Sequence, residues 1–117
     1  IINYKMKLII KIIILFFLPK ILLASPDYFK EGLNLYEKKQ YEKAKFKFEQ
    51  DIVYNPKNEK SYLYLSKIYN LKDKKNLEEK NLSTVILLNP QNEEATYNLA
   101  KLKLVKSDYS ESKKLVD

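Results

Sequence analysis

The side chains that could carry out catalysis are scarce in this chain and lack the partners that catalysis requires. The sequence contains no Cys and no His, which excludes a thiol nucleophile, a thiolate metal site and an imidazole general base. Without His, no hydroxyl has the base that usually activates it. This applies to Ser61, Ser66, Ser83, Ser107, Ser110 and Ser112.

Two pairs of adjacent carboxylates, Glu78–Glu79 and Glu93–Glu94, are the remaining candidates for acid–base chemistry. Adjacent residues of a helix point to different faces, so neither pair can flank one substrate, and we expect both pairs on the solvated surface. With a single Gly, the chain also has no Gly-rich phosphate loop. The sequence therefore predicts a protein that is not an enzyme and has no cofactor and no metal.

The net charge of +7 is concentrated at the beginning of the chain. Four of the 22 Lys precede Ser25, which leaves 18 Lys against 15 acidic residues in the rest. There the two signs alternate, as in "YEKKQYEKAKFKFEQD", which is typical of a solvated helical face. Nucleic-acid binding would require clustered positive charge, so we expect no nucleic-acid partner. An anionic surface bound through the Lys excess is the weaker alternative.

Residues 1–24 have the pattern of a targeting segment. Lys7 and Lys11 follow Met6, then come the apolar run Ile12–Leu18 and a small residue at Ala24, the order of a secretory signal peptide. We expect translation to start at Met6 and cleavage to follow Ala24, giving an exported, periplasmic or cell-envelope protein. The alternative is an uncleaved inner-membrane anchor, with membrane contact through residues 8–24, although the uncharged run is shorter than the ~20 residues of a spanning helix.

The remainder, residues 25–117, repeats itself at the 34-residue interval that separates Pro56 from Pro90. The turn "YNPKNE" at residues 54–59 returns as "LNPQNE" at residues 88–93. Apolar positions recur at the same interval, as Phe48 over Leu82, and small residues form the column Gly32, Ser66 and Ala100. A fixed interval of this length is typical of a repeated structural unit.

Each unit has the pattern of two helices. In "PDYFKEGLNLYEKK" and "YEKAKFKFEQDIVY" the apolar residues fall at helical spacing. Asn55 and Asn89 precede Pro, which disfavours helical backbone, so we expect each second helix to end there. Asn58 and Asn92 are suitable N-caps for the next helix.

Gly32 is the only Gly and lies in the middle of a predicted helix. Because Gly costs ~1 kcal/mol against Ala in a helix, a compensating contact is expected. We predict a close approach of the paired helix at Ala44.

A helix–turn–helix unit of this length resembles the tetratricopeptide repeat. In the first unit the matching residues are Tyr28, Gly32, Leu35, Ala44, Phe48 and Pro56, and in the second they are Tyr62, Leu65, Ser66, Tyr69, Leu82 and Pro90. In the third unit Leu99, Ala100, Asp108–Tyr109 and Ser112 match. Glu78 departs from the pattern where a small residue is usual, so we expect looser packing of that helix.

The resemblance implies an all-α fold, a right-handed α-solenoid that follows the N-terminal hydrophobic segment. Its units would be residues 25–58, 59–92 and 93–117, the last incomplete with a short second helix. In this family the first helices line a concave groove that binds a peptide or partner helix. The matching groove positions, expected to be surplus to core packing, are Phe29, Leu33, Tyr36, Leu63, Lys67, Asn70, Tyr97, Lys101 and Leu104.

The resemblance and the targeting segment together suggest a small exported or membrane-anchored bacterial member of the family. Its expected function is that of a non-enzymatic protein–protein interaction scaffold in the cell envelope. A membrane-anchored assembly subunit and the N-terminal fragment of a larger repeat protein are the alternatives.

Overall fold

The computed structural model describes residues 2–22 and 26–116, and all regular structure in these ranges is α-helical. The predicted fold class, all-α, is therefore confirmed. The described part contains six helices: α1 Tyr4–Leu22, α2 Tyr28–Glu37, α3 Tyr41–Tyr54, α4 Glu59–Leu71, α5 Lys75–Leu88 and α6 Glu93–Val116.

Helix α1, Tyr4–Leu22, lies within the predicted targeting segment of residues 1–24. Its side chains are exposed as far as Leu15, the last residue of the helix whose burial is described. Among the described residues, no helix has the length and apolar character needed to cross a membrane. The predicted cleavage site after Ala24 lies outside the described residues.

Helices α2 to α6 pack in chain order, each antiparallel to the next. The result is an elongated molecule of 90 × 28 × 22 Å. Because each helix packs mainly on its sequence neighbours, the arrangement resembles that of repeat proteins, in which stability arises within units and between adjacent units.

The predicted helix ends between units are confirmed. Helix α3 ends at Tyr54 with Asn55 as its C-cap, and α5 ends at Leu88 with Asn89 as its C-cap. The Asn58 side chain accepts a hydrogen bond from the backbone N–H of Lys60 at 3.3 Å. In the next unit, Asn92 accepts from the N–H of Ala95 at 2.9 Å. These asparagines satisfy helix N–H groups that have no partner inside the helix.

The turns within units also repeat at the 34-residue interval. Lys39 and Asp73 adopt positive φ angles of 58° and 55°. Each is followed by a residue whose N–H bonds back into the preceding helix, Gln40 to Leu35 O and Lys74 to Tyr69 O, both at 2.9 Å. Each turn therefore closes a pair of antiparallel helices, α2 with α3 and α4 with α5.

The third unit does not contain the predicted turn. Helix α6 runs without interruption from Glu93 to Val116, passing Ser107, which matches Lys39 and Asp73 in the repeat. A left-handed residue costs roughly 1–2 kcal/mol, which packing of a second helix must offset. At the core positions that follow, this unit has Tyr109, Ser112 and Val116, where the first unit has Tyr41, Ala44 and Phe48. The smaller apolar surface explains why the helix continues.

Two apolar clusters form the core. The first comprises Ala44, Phe48, Leu65 and Ile68 and joins α3 to α4. The second comprises Leu63, Leu82, Val85, Ala95 and Leu102 and joins α4, α5 and α6. Helix α4 contributes to both clusters, so it links the two halves of the repeat region.

The paired helix α3 closely approaches Gly32 as predicted, but the prediction that Ala44 makes the contact is wrong, because the Phe48 ring lies there instead. A Cβ atom on Gly32 would lie 2.7 Å from Phe48 Cε1 and 2.8 Å from Cδ1. Ser66, the next residue in the small column, is buried and donates to Leu63 O at 2.6 Å. Ala100 is exposed, since in the described part of the chain no second helix packs over it.

Candidate functional site

The candidate site is a cleft formed mainly by the first helices of the units. It has a volume of about 390 Å³ and receives side chains from α2, α4, α6 and the beginning of α5. Its lining residues are Tyr36, Ser66, Lys67, Asn70, Leu71, Asp73, Lys75, Glu78, Asn98, Lys101, Leu102 and Val105. Cleft residues therefore come from all three repeat units.

The structure brings together four of the residues expected to line a groove: Tyr36, Lys67, Asn70 and Lys101. Tyr97 and Leu104 are exposed on α6, at 68% and 67%, but do not line the cleft.

The remaining three expected groove residues are involved in packing. Leu63 is 8% exposed and belongs to the core, and Phe29 packs against the first cluster. Leu33 is half-buried. We expected the apolar groove residues to take no part in core packing. This is wrong for Leu63 and Phe29, because the second helix of each unit packs over these residues.

Tyr36 lines the α2 end of the cleft and packs against a group of aromatic side chains. The rings of Tyr36 and Tyr64 meet edge to face at 5.0 Å, and the Tyr64 ring stacks on Phe48 at 5.2 Å. Burial raises the pKa of the Tyr36 hydroxyl above its ordinary value, although Lys67 acts in the opposite direction. Lys67 lies over the Tyr64 ring, with 4.9 Å between its Nζ atom and the ring centroid. Of these residues, Tyr36 and Lys67 line the cleft and present an aromatic edge and a cation.

Charged groups of both signs line the rest of the cleft. Lys67 forms an ion pair with Glu94 at 2.8 Å, which connects α4 to α6. Lys101 forms no ion pair with the described residues. The arrangement can therefore offer a cation beside apolar surface from Leu71 and Val105. Among the described residues, no group of acidic side chains could hold a metal ion.

Glu78 is buried, with 6% of its surface exposed, so the expectation of a solvated position is wrong for this residue. Its Oε1 atom accepts a hydrogen bond from Asn70 Nδ2 at 3.2 Å. Burial raises the pKa of the Glu78 carboxyl, although the Asn70 hydrogen bond and Lys75 act in the opposite direction. Glu78 takes the position of Ala44 in the repeat, and the polar contact to Asn70 makes a larger side chain acceptable there.

Glu78→Gln is expected to stabilise the fold at neutral pH. The pKa of Glu78 is higher in the folded state than in the unfolded state. The contribution of Glu78 to stability is therefore complete below the unfolded pKa, where the carboxyl is protonated in both states, and is lost as the pH rises through the folded pKa. Gln can still accept from Asn70 and carries no charge at any pH. Urea unfolding from pH 4 to 8 should show the variant gaining stability over the wild type as the pH rises.

The matched control is Glu79→Gln at the neighbouring position. The hydrogen bond and charge of Lys106 lower the pKa of Glu79, so its carboxylate form stabilises the fold above that pKa. Glu79→Gln should therefore be less stable than the wild type at neutral pH. The interpretation of Glu78 would be wrong if both variants changed stability in the same direction with pH.

A second polar centre, which sequence reasoning missed, lies at the joint between α3 and α4. Asp51 is 2% exposed and accepts hydrogen bonds from Ser61 Oγ at 2.5 Å, Asn58 Nδ2 at 2.7 Å and Asn55 Nδ2 at 3.0 Å. The three donors satisfy the carboxylate and leave it unavailable to a ligand, so this centre organises the joint.

The signal for this centre is present in the repeat. Asp51 aligns with Val85, and Ser61 aligns with Ala95. Val85 and Ala95 are both fully buried. A buried polar pair in the first joint, between α3 and α4, is thus replaced by a buried apolar pair in the second joint, between α5 and α6. Aligning the two joints for paired changes of polarity, rather than for identity alone, would have found it.

The fold and the site define an elongated, all-helical protein with a repeat-like arrangement and a cleft on its first helices. No protein-family model and no curated protein matches the chain.

Proposed function

We propose that this chain is a non-enzymatic interaction scaffold of the tetratricopeptide type, which binds a peptide or a partner helix in the cleft. Three features support the family proposal: the 34-residue period, the Asn-Pro joints that end α3 and α5, and the repeated positive-φ turns at Lys39 and Asp73. The α-solenoid that this family forms has a right-handed twist, and we extend that handedness to this chain as part of the proposal.

The observation that carries the functional proposal is the composition of the cleft. Tyr36, Leu71 and Val105 provide apolar surface from three different helices. Lys101 provides a cation beside it, and Lys67 provides a second one that is paired with Glu94. Apolar side chains anchor a bound segment, and the polar groups around them set its orientation and specificity. This combination suits an amphipathic peptide or helix with an acidic side chain next to an apolar one.

Site-specific photo-crosslinking in the source cells tests the proposal. A photoreactive amino acid replaces Asn70 or Lys101 in the cleft, and Lys43 or Ser83, exposed on the second helices, in matched controls. We expect a discrete crosslinked protein at the cleft positions and none at the controls. Equal crosslinking at all four positions, or crosslinking at the controls alone, would show that the cleft is not the binding surface.

The proposal places the scaffold in the bacterial cell envelope, because the segment from Met6 to Ala24 has the order of a signal peptide. The alternative is an assembly subunit anchored in the inner membrane through residues 8–24, or the N-terminal part of a larger repeat protein. Mass spectrometry of the mature protein distinguishes export from anchoring: an N-terminus at Ser25 rejects the anchor.

A further inference from the structure

The outer face of α6 has a regular pattern that the proposed cleft does not use. Ala95 and Leu102 belong to the core cluster that α6 shares with α4 and α5, and Leu99 packs against that cluster. On the opposite side, an outer seam of six exposed residues follows the alternating spacing of four and three that lets two helices pair along their length. The seam consists of Tyr97, Lys101, Leu104, Asp108, Glu111 and Leu115.

The residues equivalent to Tyr97 in the first two units are Phe29 and Leu63, and each is covered by the second helix of its unit. Phe29 of α2 meets the Phe48 ring of α3 at 5.9 Å. Leu63 of α4 is buried in the cluster that contains Leu82 of α5. Tyr97, the third residue of this column, is 68% exposed, and Leu115 is 89% exposed. Among the described residues, no helix covers the outer seam.

We propose that a second copy of this chain covers the outer seam, with the two α6 helices antiparallel and crossing at Lys106. In this register Tyr97 lies opposite Leu115 of the second copy, and Leu104 lies opposite Asp108 of the second copy. The two-fold symmetry forms each contact twice. Apolar layers therefore occupy both ends of the seam.

Charge complementarity selects the antiparallel orientation. With the crossing at Lys106, Lys101 lies opposite Glu111 of the second copy, and the symmetry repeats this ion pair. A parallel pair would place Lys101 against Lys101 and Glu111 against Glu111, and like charges in register are unfavourable. The charges thus favour one orientation and oppose the other.

While α6 remains straight, Leu115 cannot reach Tyr97 of the same helix. Leu115 lies five helical turns beyond Tyr97, which separates the two positions by about 27 Å. A second copy can bring its own Leu115 to Tyr97. The seam is short, so the dimer is weak and its population depends on concentration.

This dimer goes beyond the proposed scaffold function, and Lys101 is the only seam residue that also lines the cleft. Asn98, Leu102 and Val105 face the cleft. At about 100° per residue, these positions are roughly a quarter turn or more around α6 from the outer seam. Lys101 borders both surfaces, so a bound acidic peptide and the second copy compete for one cation.

Cysteine crosslinking of the full chain tests the dimer, because the natural sequence contains no Cys. The test variant combines Tyr97→Cys with Leu115→Cys, and the control combines Leu87→Cys, an exposed position on α5, with Leu115→Cys. Under mild oxidation with copper–phenanthroline, non-reducing electrophoresis should show a disulfide-linked dimer for the test variant. We expect it to form about tenfold faster than in the control, because pairing raises the effective concentration of the thiols.

Each other outcome overturns the proposal. A disulfide within one chain would show that α6 bends back near Ser107. The test variant lacks the Tyr97–Leu115 layers, so the unaltered chain is also sedimented at the same concentration, and two free thiols together with a monomeric unaltered chain would show that the seam is unpaired. A dimer formed equally by the control would show association through another surface, and one formed by Tyr97→Cys alone would show a parallel pair. As a second measurement, Lys101→Glu should slow crosslinking of the test variant, and adding Glu111→Lys should restore it. Photo-crosslinking at Asn70 tests the cleft separately from this dimer.

Discussion

Asp51→Val is expected to lower the free energy of unfolding by about 2–3 kcal/mol, because buried donors lose the carboxylate that satisfies them. Ser61 Oγ is fully buried and has its 2.5 Å contact to Asp51, while Asn58 loses a contact of 2.7 Å. The loss should appear in urea unfolding followed by far-ultraviolet circular dichroism.

The sharper test adds Ser61→Ala to Asp51→Val. This double variant copies the second joint, where Val85 and Ala95 fill the same positions without a buried polar pair. It should recover much of the lost stability, about 1–2 kcal/mol, because the fully buried Ser61 hydroxyl is removed together with its acceptor. Asn58, which loses its contacts to both side chains, is only half-buried and can bond to water. A double variant no more stable than Asp51→Val would show that the carboxylate holds the joint in another way.

The reverse exchange in the second joint is a matched control. Val85→Asp alone buries a charge among apolar residues and should destabilise the chain severely. Adding Ala95→Ser supplies the hydroxyl donor, and Asn92 already lies where Asn58 contacts Asp51 in the first joint. The double variant should therefore be more stable than Val85→Asp. If the two are equally unstable, the joints are not interchangeable.

Gly32→Ala is expected to lower the free energy of unfolding by about 1–3 kcal/mol, the usual cost of overpacking a tight contact. In an open helix the same change would be favourable by ~1 kcal/mol, but here the new methyl group would lie 2.7 Å from Phe48 Cε1. The ring cannot move freely, because Phe29 and Tyr64 pack on it. Urea unfolding measures the difference.

Two further variants identify the cause of that loss. In a Phe48→Leu background, which removes the contacting ring atoms, Gly32→Ala should be neutral or stabilising. Asn34→Ala, at an exposed position of the same helix, should not destabilise the chain. Loss of stability from Gly32→Ala in both backgrounds would mean that the methyl group contacts something other than the Phe48 ring.

Much of the fold could be predicted from local signals in the sequence. The Asn-Pro pairs at residues 55–56 and 89–90 end helices where predicted, and Asn58 and Asn92 cap the next ones. Such signals act over a few residues, so one sequence is enough to interpret them. The need for close contact at Gly32 was visible for the same reason, since only Gly tolerates the approach.

The candidate site was predicted in part, because the sequence shows which residues share a helical face but not which neighbour covers that face. Tyr36, Lys67, Asn70 and Lys101 meet in the cleft, whereas Leu63 is covered by α5. Tyr97 occupies the same column as Leu63 and is exposed. The difference between them is the presence of a packed second helix.

The sequence by itself determined the interval of the repeat, the boundaries of the joints and the requirement for a small residue at position 32. Only the tertiary structure decided that α6 continues through Ser107, that Glu78 is buried, and that Asp51 organises the first joint. Helix caps and Pro residues act on the adjacent backbone, so their effect is local. Burial and polar pairing depend on distant segments whose packing energies compete, and that balance appears only in the assembled fold.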